Sequence, residues 1–356
     1  MKKKLNVAVI CGGKSAEHEI SLISAKNIFN SLNKDKYNIS MIGISKSGSW
    51  HQLGPTPNFL NTSDPKKISF QQSDNEIFPT PNGALSPSEP SLNEFTVDQA
   101  DVVIPALHGP NGEDGSIQGF FQLAEIPIVG CGVLSSAMCM DKDITKKILS
   151  TEGIPVARHL LARRSSPDSW PSYKRAQAEL GDTLFVKPAN MGSSVGVSKV
   201  SSEKDYQNAL NLAFKYDSKV LIEEGLSARE LEVALLGNSK VEASVVGEVA
   251  PESGFYSFDA KYIDADGAKL IVPADIPAEL SEEIRSMAKL VFETLECQGL
   301  ARCDFFYTDQ GRLLVNEINT FPGFTSISQY PMLWKASGLD YTDLLDKLIS
   351  LALESK

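Results

Sequence analysis

The chain has 356 residues, 42% of them hydrophobic and 22% charged, a composition typical of soluble globular proteins. This length exceeds one ordinary hydrophobic core and favours two or three domains. The 34 Lys and Arg residues against 45 Asp and Glu residues give a net charge of -11, which argues against a general nucleic-acid binder. No apolar run approaches the roughly 18 residues that a membrane helix needs, so we expect no membrane association.

The cysteines and the N-terminus indicate a cytoplasmic protein. Five scattered cysteines without a C-x-x-C pair predict reduced thiols. The basic and apolar first ten residues superficially resemble a signal peptide, but Asn6 interrupts the apolar part and two glycines follow it. A first β-strand is therefore the better interpretation.

The opening strand, Leu5 to Ile10, runs through a Gly12-Gly13 turn into a helix, which is the first βα unit of an α/β domain. The turn is not G-x-G-x-x-G, so it does not indicate a dinucleotide site. Glu17 lies at the helix start, where an acid complements the helix dipole or points at a ligand over the sheet edge. The local pattern alone favours the dipole.

A stretch rich in Pro, Ser and Asn, residues 54–93, is expected to be a surface excursion with at most one hairpin. A buried strand from Asp101 to Leu107 then leads into a polar, glycine-dense loop that starts at His108. Such loops commonly hold ligands, and His108 fits a structural hydrogen bond and a ligand contact equally well. A helix and a short strand complete the first domain near Gly130.

The next segment predicts a helix with Met138, Ile144 and Ile148 at helical spacing, followed by a strand that ends on Lys187. A Gly-Ser loop, residues 192–196, comes next. One cation and several free backbone N–H groups suit a polyphosphate, although the lysine precedes the glycines, unlike in a P-loop. A flexible linker is the alternative, but the flanking strands favour a hairpin loop.

Further acids lie at strand ends and on strand faces. Glu223 ends one strand, and Glu230 follows in a cleanly alternating strand, where it suits ribose hydroxyls or a solvated face. The polar and aromatic stretch of residues 254–272 is expected to be a lid. An amphipathic helix from Ser281 to Cys297 and a closing helix from Tyr341 to Leu353 complete the predicted elements.

The most informative stretch is a predicted hairpin that joins strands 301–307 and 313–319. Antiparallel pairing about its turn brings Asp304 almost opposite Glu317, with Asn319 on the same face. Opposed like charges destabilise a sheet, whereas Mg²⁺ binds carboxylate and amide oxygens. The alternative is a solvated strand face on which Arg302 neutralises Asp304.

Several motifs in order give this sequence a resemblance to a known family. Five of these motifs are typical of ATP-grasp ligases: Lys187-Pro188, Met191 to Gly196, Glu223-Glu224, Arg302-x-Asp304 and Asn316 to Gly323. Three more narrow the resemblance to the D-alanine:D-alanine ligase family: Ser15 to Ser21, Leu107 to Gly115 and Thr325 to Ser328. The resemblance spans nearly the whole chain except residues 54–93. The family has a lysine where this chain has Glu224.

The resemblance implies an α/β ATP-grasp fold with three domains: a Rossmann-like domain with a parallel sheet at residues 1–130, and two α+β subdomains that sandwich ATP. These are the central subdomain, 131–226, and the C-terminal subdomain, 227–356, with the lid at about 254–272. The implied activity joins two D-alanine molecules through an acyl phosphate for peptidoglycan precursors. The implied cofactors are ATP and two Mg²⁺ ions, with Mn²⁺ as a substitute. A homodimer is the family expectation.

The resemblance also implies site residues. Those implied for ATP are Lys142, Lys187, Ser194, Glu223, Leu226 and Glu230. The implied metal ligands are Asp304, Glu317 and Asn319. Those implied in catalysis are Glu17, Ser193, Tyr262, Arg302 and Gly323. Substrate contacts are implied for His108, Lys261 and Ser328.

Three alternatives remain open at this point. The first is a D-alanine:D-lactate ligase, which the lid residue Tyr262 disfavours. The second is an ATP-binding relative without catalysis, which the retained metal-ligand candidates and Arg302 disfavour. The third is a periplasmic-type binding protein, which needs neither a phosphate loop nor a carboxylate hairpin.

Overall fold

The computed structural model describes residues 3–53, 60, 68–70, 76–79, 85–87, 100–251 and 268–354. Its first sheet contains β1 (Leu5–Gly12), β2 (Tyr37–Ile44), β3 (Trp50–Leu53), β4 (Glu76–Pro79), β5 (Leu85–Pro87) and β6 (Val102–Ala106). Their order is β5-β4-β3-β2-β1-β6. Helix α1 (His18–Ser31) connects β1 to β2, and both β2 and β6 pair parallel to β1.

The predicted parallel sheet is confirmed for these three strands and is extended by three antiparallel ones. The predicted hairpin in the Pro-rich stretch is β4 with β5. That stretch also supplies Leu60, Ile68 and Phe70 to the hydrophobic core, next to Met41 and Leu53. The prediction that this stretch lies only at the surface is therefore wrong for these three residues, which are buried in the core.

The second sheet contains β7 (His159–Arg163), β8 (Leu184–Pro188), β9 (Ser198–Val200) and β10 (Lys219–Glu224). Its order is β7-β10-β8-β9, with antiparallel pairing. Helices α5 (Tyr173–Leu180) and α6 (Glu203–Tyr216) cover one face and share its core, and a short 3₁₀ helix spans Pro167–Ser169. Ser172 and Ser202 cap the two α-helices by accepting backbone N–H bonds, as short hydroxyl side chains commonly do.

The third sheet contains β11 (Ala228–Gly237), β12 (Glu242–Pro251), β13 (Ala268–Ile271), β14 (Gly299–Thr308) and β15 (Leu313–Asn319). Its order is β13-β12-β11-β14-β15 and its pairing is antiparallel. Helix α7 (Ala278–Thr294) packs on it through Ile284, Ala288 and Val291. The apolar residues that face the sheet are those predicted from the sequence. The predicted helix, Ser281 to Cys297, starts and ends three residues later than the observed one.

Three helices connect the first and second sheets: α2 (Ser116–Leu123), α3 (Val133–Met140) and α4 (Lys142–Thr151). The single helix expected over Met138 and Ile148 is in fact two helices. Asp141 separates them because it has an extended backbone and caps α4, accepting hydrogen bonds from the backbone N–H groups of Asp143 and Ile144, each at 3.1 Å. A residue that caps a helix in this way marks the start of that helix, so α4 starts directly after Asp141 and is separate from α3.

The last two helices, α8 (Gln329–Ala336) and α9 (Tyr341–Glu354), join the ends of the chain. Leu344 and Leu348 of α9 belong to the same core as Ile28 of α1 and Val9 of β1. This shared core fixes the first sheet against the segment that follows β15. In the described part of the chain, no helix is both long and apolar enough to cross a membrane.

Candidate active site

The predicted carboxylate hairpin is present in β14 and β15. Asp304 pairs with Glu317 and Arg302 pairs with Asn319, and a bulge then shifts the register so that Phe305 pairs with Val315. This bulge leaves Asn316 as an extra residue beside Glu317. Antiparallel pairing therefore brings Asp304, Glu317 and Asn319 together, as the sequence indicates.

Arg302 neutralises much of the charge in this hairpin. Its guanidinium donates two hydrogen bonds of 2.7 Å to Asp304 and lies 3.1 Å from Glu232. Burial disfavours the charged guanidinium, but the attraction of Asp304 and Glu232 outweighs it and holds the pKa of Arg302 well above its ordinary value. Asp304 is only 8% exposed, so this is not a solvated strand face.

The donor set fits a hard divalent cation. Two carboxylates and an amide face one another, which is the oxygen-rich chemistry that Mg²⁺ prefers. Asn319 donates its amide N–H to Asp304 at 3.0 Å, and its amide oxygen is the atom that would bind a cation. Among the described residues, no group of three His, Cys, Asp or Glu suits a metal; the third predicted ligand here, Asn319, is an amide.

Lys142 connects this hairpin to the glycine loop. Its ammonium lies 3.2 Å from Glu317 and donates a 2.9 Å hydrogen bond to the carbonyl of Met191. Lys142 is the first residue of α4, so the capping residue Asp141 determines where this ammonium lies. The cation is thus placed between the carboxylate hairpin and the predicted phosphate loop.

Glu223 lies between two buried lysines. Its carboxylate is 2.7 Å from the ammonium of Lys187 and 3.0 Å from that of Lys146. Burial alone would raise the pKa of Glu223, but the two ammonium groups lower it to about 2. Sequence reasoning missed Lys146, which is 1% exposed, because a lysine in the polar helix α4 normally faces solvent.

The glycine loop forms the predicted hairpin between β8 and β9. Ser193 and Ser194 have positive φ angles of 50° and 60°, a conformation that non-glycine residues seldom adopt. The hydroxyl of Ser193 donates a hydrogen bond to Glu17. The loop therefore contacts the first domain directly, at the acid that the sequence singles out near the start of α1.

A cleft of about 460 Å³ lies between the second and third sheets. The predicted residues that line it are Lys142, Lys187, Ser193, Ser194, Glu223, Leu226, Glu230 and Glu317. Phe185, Val249 and Phe306 add apolar walls. A cleft that combines apolar walls with convergent charged side chains is typical of a small-molecule site, and the cations in this lining are Lys142, Lys187 and Arg229.

Glu224 also lines the cleft, but its carboxylate is hydrogen-bonded to Arg158. Arg158 donates its backbone N–H to one oxygen at 2.9 Å and two guanidinium N–H bonds of 2.9 and 2.7 Å to the other. Arg312 lies 3.8 Å away. Burial would raise the pKa of Glu224, but hydrogen bonds from Arg158 lower it. Glu224, at the position where the resemblance implies a lysine, is therefore held in an ion pair with Arg158.

His108 makes protein contacts through both ring nitrogens, 3.0 Å from the Ser24 hydroxyl and 3.3 Å from the Phe321 carbonyl. Burial lowers its pKa, so the ring is neutral. This geometry is that of a structural hydrogen-bonder between α1 and the loop after β15. Of the two interpretations that the sequence leaves open, the structure favours this one.

Gly323 and Ser328 form the other side of that loop. A Cβ at Gly323 would lie 2.8 Å from the Ser328 hydroxyl, so only glycine fits there without displacing the serine. Ser328 is in turn held by Thr325, whose backbone N–H donates to its hydroxyl at 3.0 Å. Lys261 and Tyr262, and most of the predicted lid, lie outside the described residues.

Glu113 is an acid that sequence reasoning missed. It accepts the backbone N–H of Gly109 at 2.8 Å. Burial raises the pKa of Glu113 to about 8, and the nearby carboxylate of Glu17 adds to the rise. Its signal in the sequence is its position in the glycine-dense loop that follows β6.

Comparison with known proteins places this geometry among D-alanine–D-alanine ligases. Family models described as the D-ala D-ala ligase N-terminus and C-terminus match residues 6–131 and 148–350. D-alanine–D-alanine ligase A of Escherichia coli K12 is 47% identical over 352 residues, covering 99% of this chain and 96% of that one. The D-alanine–D-alanine ligase of Shouchella clausii is 48% identical, covering 99% and 95%.

Two solved ligase structures are similar to this chain over nearly its whole length. The D-alanine–D-alanine ligase from Coxiella burnetii superposes with a TM-score of 0.83 at 37% identity, covering 99% of this chain and 94% of that one. The VanG D-Ala:D-Ser ligase from Enterococcus faecalis superposes with a TM-score of 0.85 at 37% identity, covering 98% and 100%.

Proposed function

This chain belongs to the D-alanine–D-alanine ligase family, and we propose that it joins two D-alanine molecules into D-alanyl-D-alanine at the expense of ATP, for peptidoglycan precursors. The convergence of Lys142, Glu317 and Asp304 supports this most directly: Lys142 and Glu317 line the cleft and lie 3.2 Å apart, and Glu317 pairs with Asp304. Phosphoryl transfer needs such an arrangement, because its barrier is lowered chiefly by positioning and by neutralising phosphoryl charge.

ATP is proposed to occupy the cleft between the second and third sheets. Lys142 and Lys187 hold its phosphates, and the loop of Ser193 and Ser194 closes over them. The adenine lies toward Glu223 and the backbone of Leu226, and Glu230 takes the ribose hydroxyls. All seven residues line the cleft, and Glu223 can contact the adenine only if Lys187 turns away from it toward a phosphate.

Asp304, Glu317 and Asn319 would hold two Mg²⁺ ions, with Mn²⁺ as a substitute. When bound, these ions neutralise phosphoryl charge and orient the oxygens of the nucleotide. Arg302 already holds Asp304 in place through two hydrogen bonds. The ligand carboxylate is therefore oriented before the metal arrives.

The carboxylate of the first D-alanine is a poor electrophile, so it takes the γ-phosphoryl group of ATP and becomes an acyl phosphate. Glu17, held by Ser193 and proposed to be assisted by Tyr262, orients this substrate. The amine of the second D-alanine attacks the carbonyl carbon, loses a proton and expels phosphate. Arg302 and the Gly323 backbone N–H stabilise the tetrahedral oxyanion.

The second D-alanine is proposed to bind through its carboxylate to Ser328 and Lys261. His108 is proposed to stabilise the wall of the substrate pocket, because its two ring nitrogens contact Ser24 and Phe321. The stretch of residues 254–272 is proposed to close over the acyl phosphate, which water would otherwise hydrolyse.

We propose the domain division at residues 1–130, 131–226 and 227–356. The second sheet ends at Glu224 and the third begins at Ala228, which supports the second boundary. A homodimer is proposed from the exposed apolar side chains Leu123 and Leu134, which are 83% and 62% exposed. A cytoplasmic location is supported by five free, buried cysteines.

The test is phosphate release from ATP with Mg²⁺ and each of four substrate sets: D-alanine, L-alanine, D-alanine with D-lactate, and D-alanine with D-serine. Mass spectrometry identifies the products. We expect ADP and D-alanyl-D-alanine from D-alanine, and nothing from L-alanine. ATP binding without D-alanine-dependent turnover would instead support the non-catalytic relative, and a mixed product in preference to the dipeptide would support a depsipeptide or D-serine ligase.

A further inference from the structure

A second cavity, of about 330 Å³, lies in the first domain and shares no described lining residue with the ATP cleft. We propose that it is a binding site for a small carboxylate that carries a flat apolar ring. The proposed ligase function uses His108 alone among the described lining residues of this cavity, and the inference does not depend on that function.

The position of the cavity is that of a ligand site in open α/β sheets. Its lining contains Gly12 at the end of β1, Ile44 at the end of β2 and Leu107 just after β6. The chain leaves β1 toward β2 on one side, whereas β6 pairs with the other side of β1. Ligands bind outside the carboxyl ends of strands where the connections diverge in this way.

Glycines keep the end of β1 open toward this cavity. Gly12 and Gly13 have φ angles of 90° and 94°, and a Cβ at Gly12 would lie 2.1 Å from the carbonyl oxygen of Ile44. A side chain is therefore excluded at Gly12. The backbone of this turn, rather than side chains, lines the floor of the cavity.

Two aromatic side chains form an apolar wall. The rings of Trp50 and Phe120 have centroids 5.9 Å apart and are tilted by 43°, and Phe120 is held edge-on against Phe121 at 5.0 Å. Ile44, Leu107 and Ile117 extend the apolar lining. Such a surface favours a flat ring, which stacks or packs edge-on against the aromatic faces.

The charge of the lining favours an anion. Among the lining residues that the structure describes, Lys14 is the one Lys or Arg, and none is Asp or Glu. The Lys14 side chain lies across Gly48, where a Cβ would be 2.2 Å from Lys14 Cε. His108 adds no positive charge, since burial lowers its pKa. An ammonium beside an apolar wall matches a carboxylate attached to a ring.

The proposal is tested by calorimetric titration of the full-length protein with indole-3-acetate and with its neutral counterpart, indole-3-acetamide. We expect saturable binding of one acid per chain, and binding of the amide weaker by about tenfold or more, because it lacks the charge-assisted contact. Excess ATP with Mg²⁺ should leave binding of the acid unchanged.

Lys14→Gln should weaken binding of the acid about tenfold and leave binding of the amide unchanged. Lys204→Gln removes an exposed lysine at the start of α6 and should change neither. Trp50→Leu should weaken both ligands, with the melting temperature as a check on folding. Absence of saturable acid binding, equal affinity for acid and amide, an unchanged affinity in Lys14→Gln, or displacement by ATP would each overturn the proposal.

Discussion

Arg302 lies between two buried carboxylates, and its removal tests the oxyanion role separately from nucleotide binding. Arg302→Lys keeps a cation but loses the paired hydrogen bonds to Asp304. We expect kcat to fall by about 10²–10³, as for loss of one oxyanion donor, with the dissociation constant of ATP changed by less than about threefold. Steady-state phosphate release and equilibrium ATP titration measure the two quantities.

The matched control is Arg175→Lys, at an exposed arginine of α5 that pairs with Glu179. It should leave both quantities unchanged. Turnover like that of the unsubstituted protein in Arg302→Lys would contradict the role, and a loss of ATP affinity equal to the loss of kcat would assign Arg302 to nucleotide binding instead.

Glu224 lies where the family resemblance implies a lysine, and its contacts indicate a structural role. Because Arg158 engages both of its carboxylate oxygens, Glu224→Gln should change ATP affinity by less than about threefold. It should lower the free energy of unfolding by about 1–3 kcal/mol, the usual cost of a lost charge-assisted hydrogen bond at a buried site. Denaturant unfolding and ATP titration check the two expectations, with the exposed Glu179→Gln as control. A tenfold change in ATP affinity would show that this acid contacts the nucleotide.

At the scale of elements, Glu223 ties β10 to α4 through Lys146 and to β8 through Lys187. Its pKa in the folded protein is about 2, below the ordinary 4.5. A lowered pKa stabilises the fold fully above pH 4.5, and this contribution is lost as the pH falls toward 2. The shift corresponds to about 3 kcal/mol.

We therefore expect the difference in unfolding free energy between the unsubstituted protein and Glu223→Gln to be constant above about pH 5 and to shrink below pH 4.5. Urea denaturation from pH 3 to pH 8 measures it. A difference that stays constant down to pH 3 would show that the carboxylate is not held in its charged form by the two lysines.

The glycine loop offers two neighbouring serines with different contacts. Ser193 donates to Glu17, so Ser193→Ala should raise KM for D-alanine about tenfold and leave ATP affinity nearly unchanged, because one hydrogen bond to a charged group is lost. If Ser194 contacts a phosphate, Ser194→Ala should weaken ATP binding and leave KM for D-alanine nearly unchanged. Steady-state kinetics with each substrate varied in turn distinguish the two, and equal effects on both substrates would indicate a general disturbance of the loop.

The hairpin of β14 and β15 was predictable because a short turn joins two apolar strands, and side chains two residues apart on a strand project from the same face. Lys146 was not predictable, because its burial depends on Glu223, a residue that lies far along the chain. The break at Asp141 was missed for another reason. An amphipathic spacing continues across it, and only the cap shows that a new helix starts there.

At the scale of the whole molecule, the family could be predicted from the order of the motifs along the chain. The packing between distant segments could not be predicted from the sequence. The core that joins α1 to α9 includes residues more than 300 positions apart. The acids Glu17 and Glu317 come from the two ends of the chain, and Ser193 and Lys142 from the middle connect to them. The site is thus assembled by tertiary packing that periodicity alone does not specify.

The proposed homodimer is the remaining property of the whole molecule. Leu123 is the last residue of α2 and Leu134 is the second residue of α3, and both side chains are exposed. Exposed large apolar side chains that form a patch mark association surfaces, and a charge buried in such an interface is strongly unfavourable. Leu134→Glu should therefore convert a dimer of the unsubstituted protein into monomers at micromolar concentration, as measured by sedimentation velocity.

Leu290→Glu is the matched control, because Leu290 is 49% exposed on α7, away from α2 and α3. It should remain dimeric. If the unsubstituted protein is a monomer across the accessible concentrations, the homodimer is wrong. If Leu290→Glu dissociates the dimer and Leu134→Glu does not, the subunits associate through the face of α7, and the apolar side chains of α2 and α3 need another explanation.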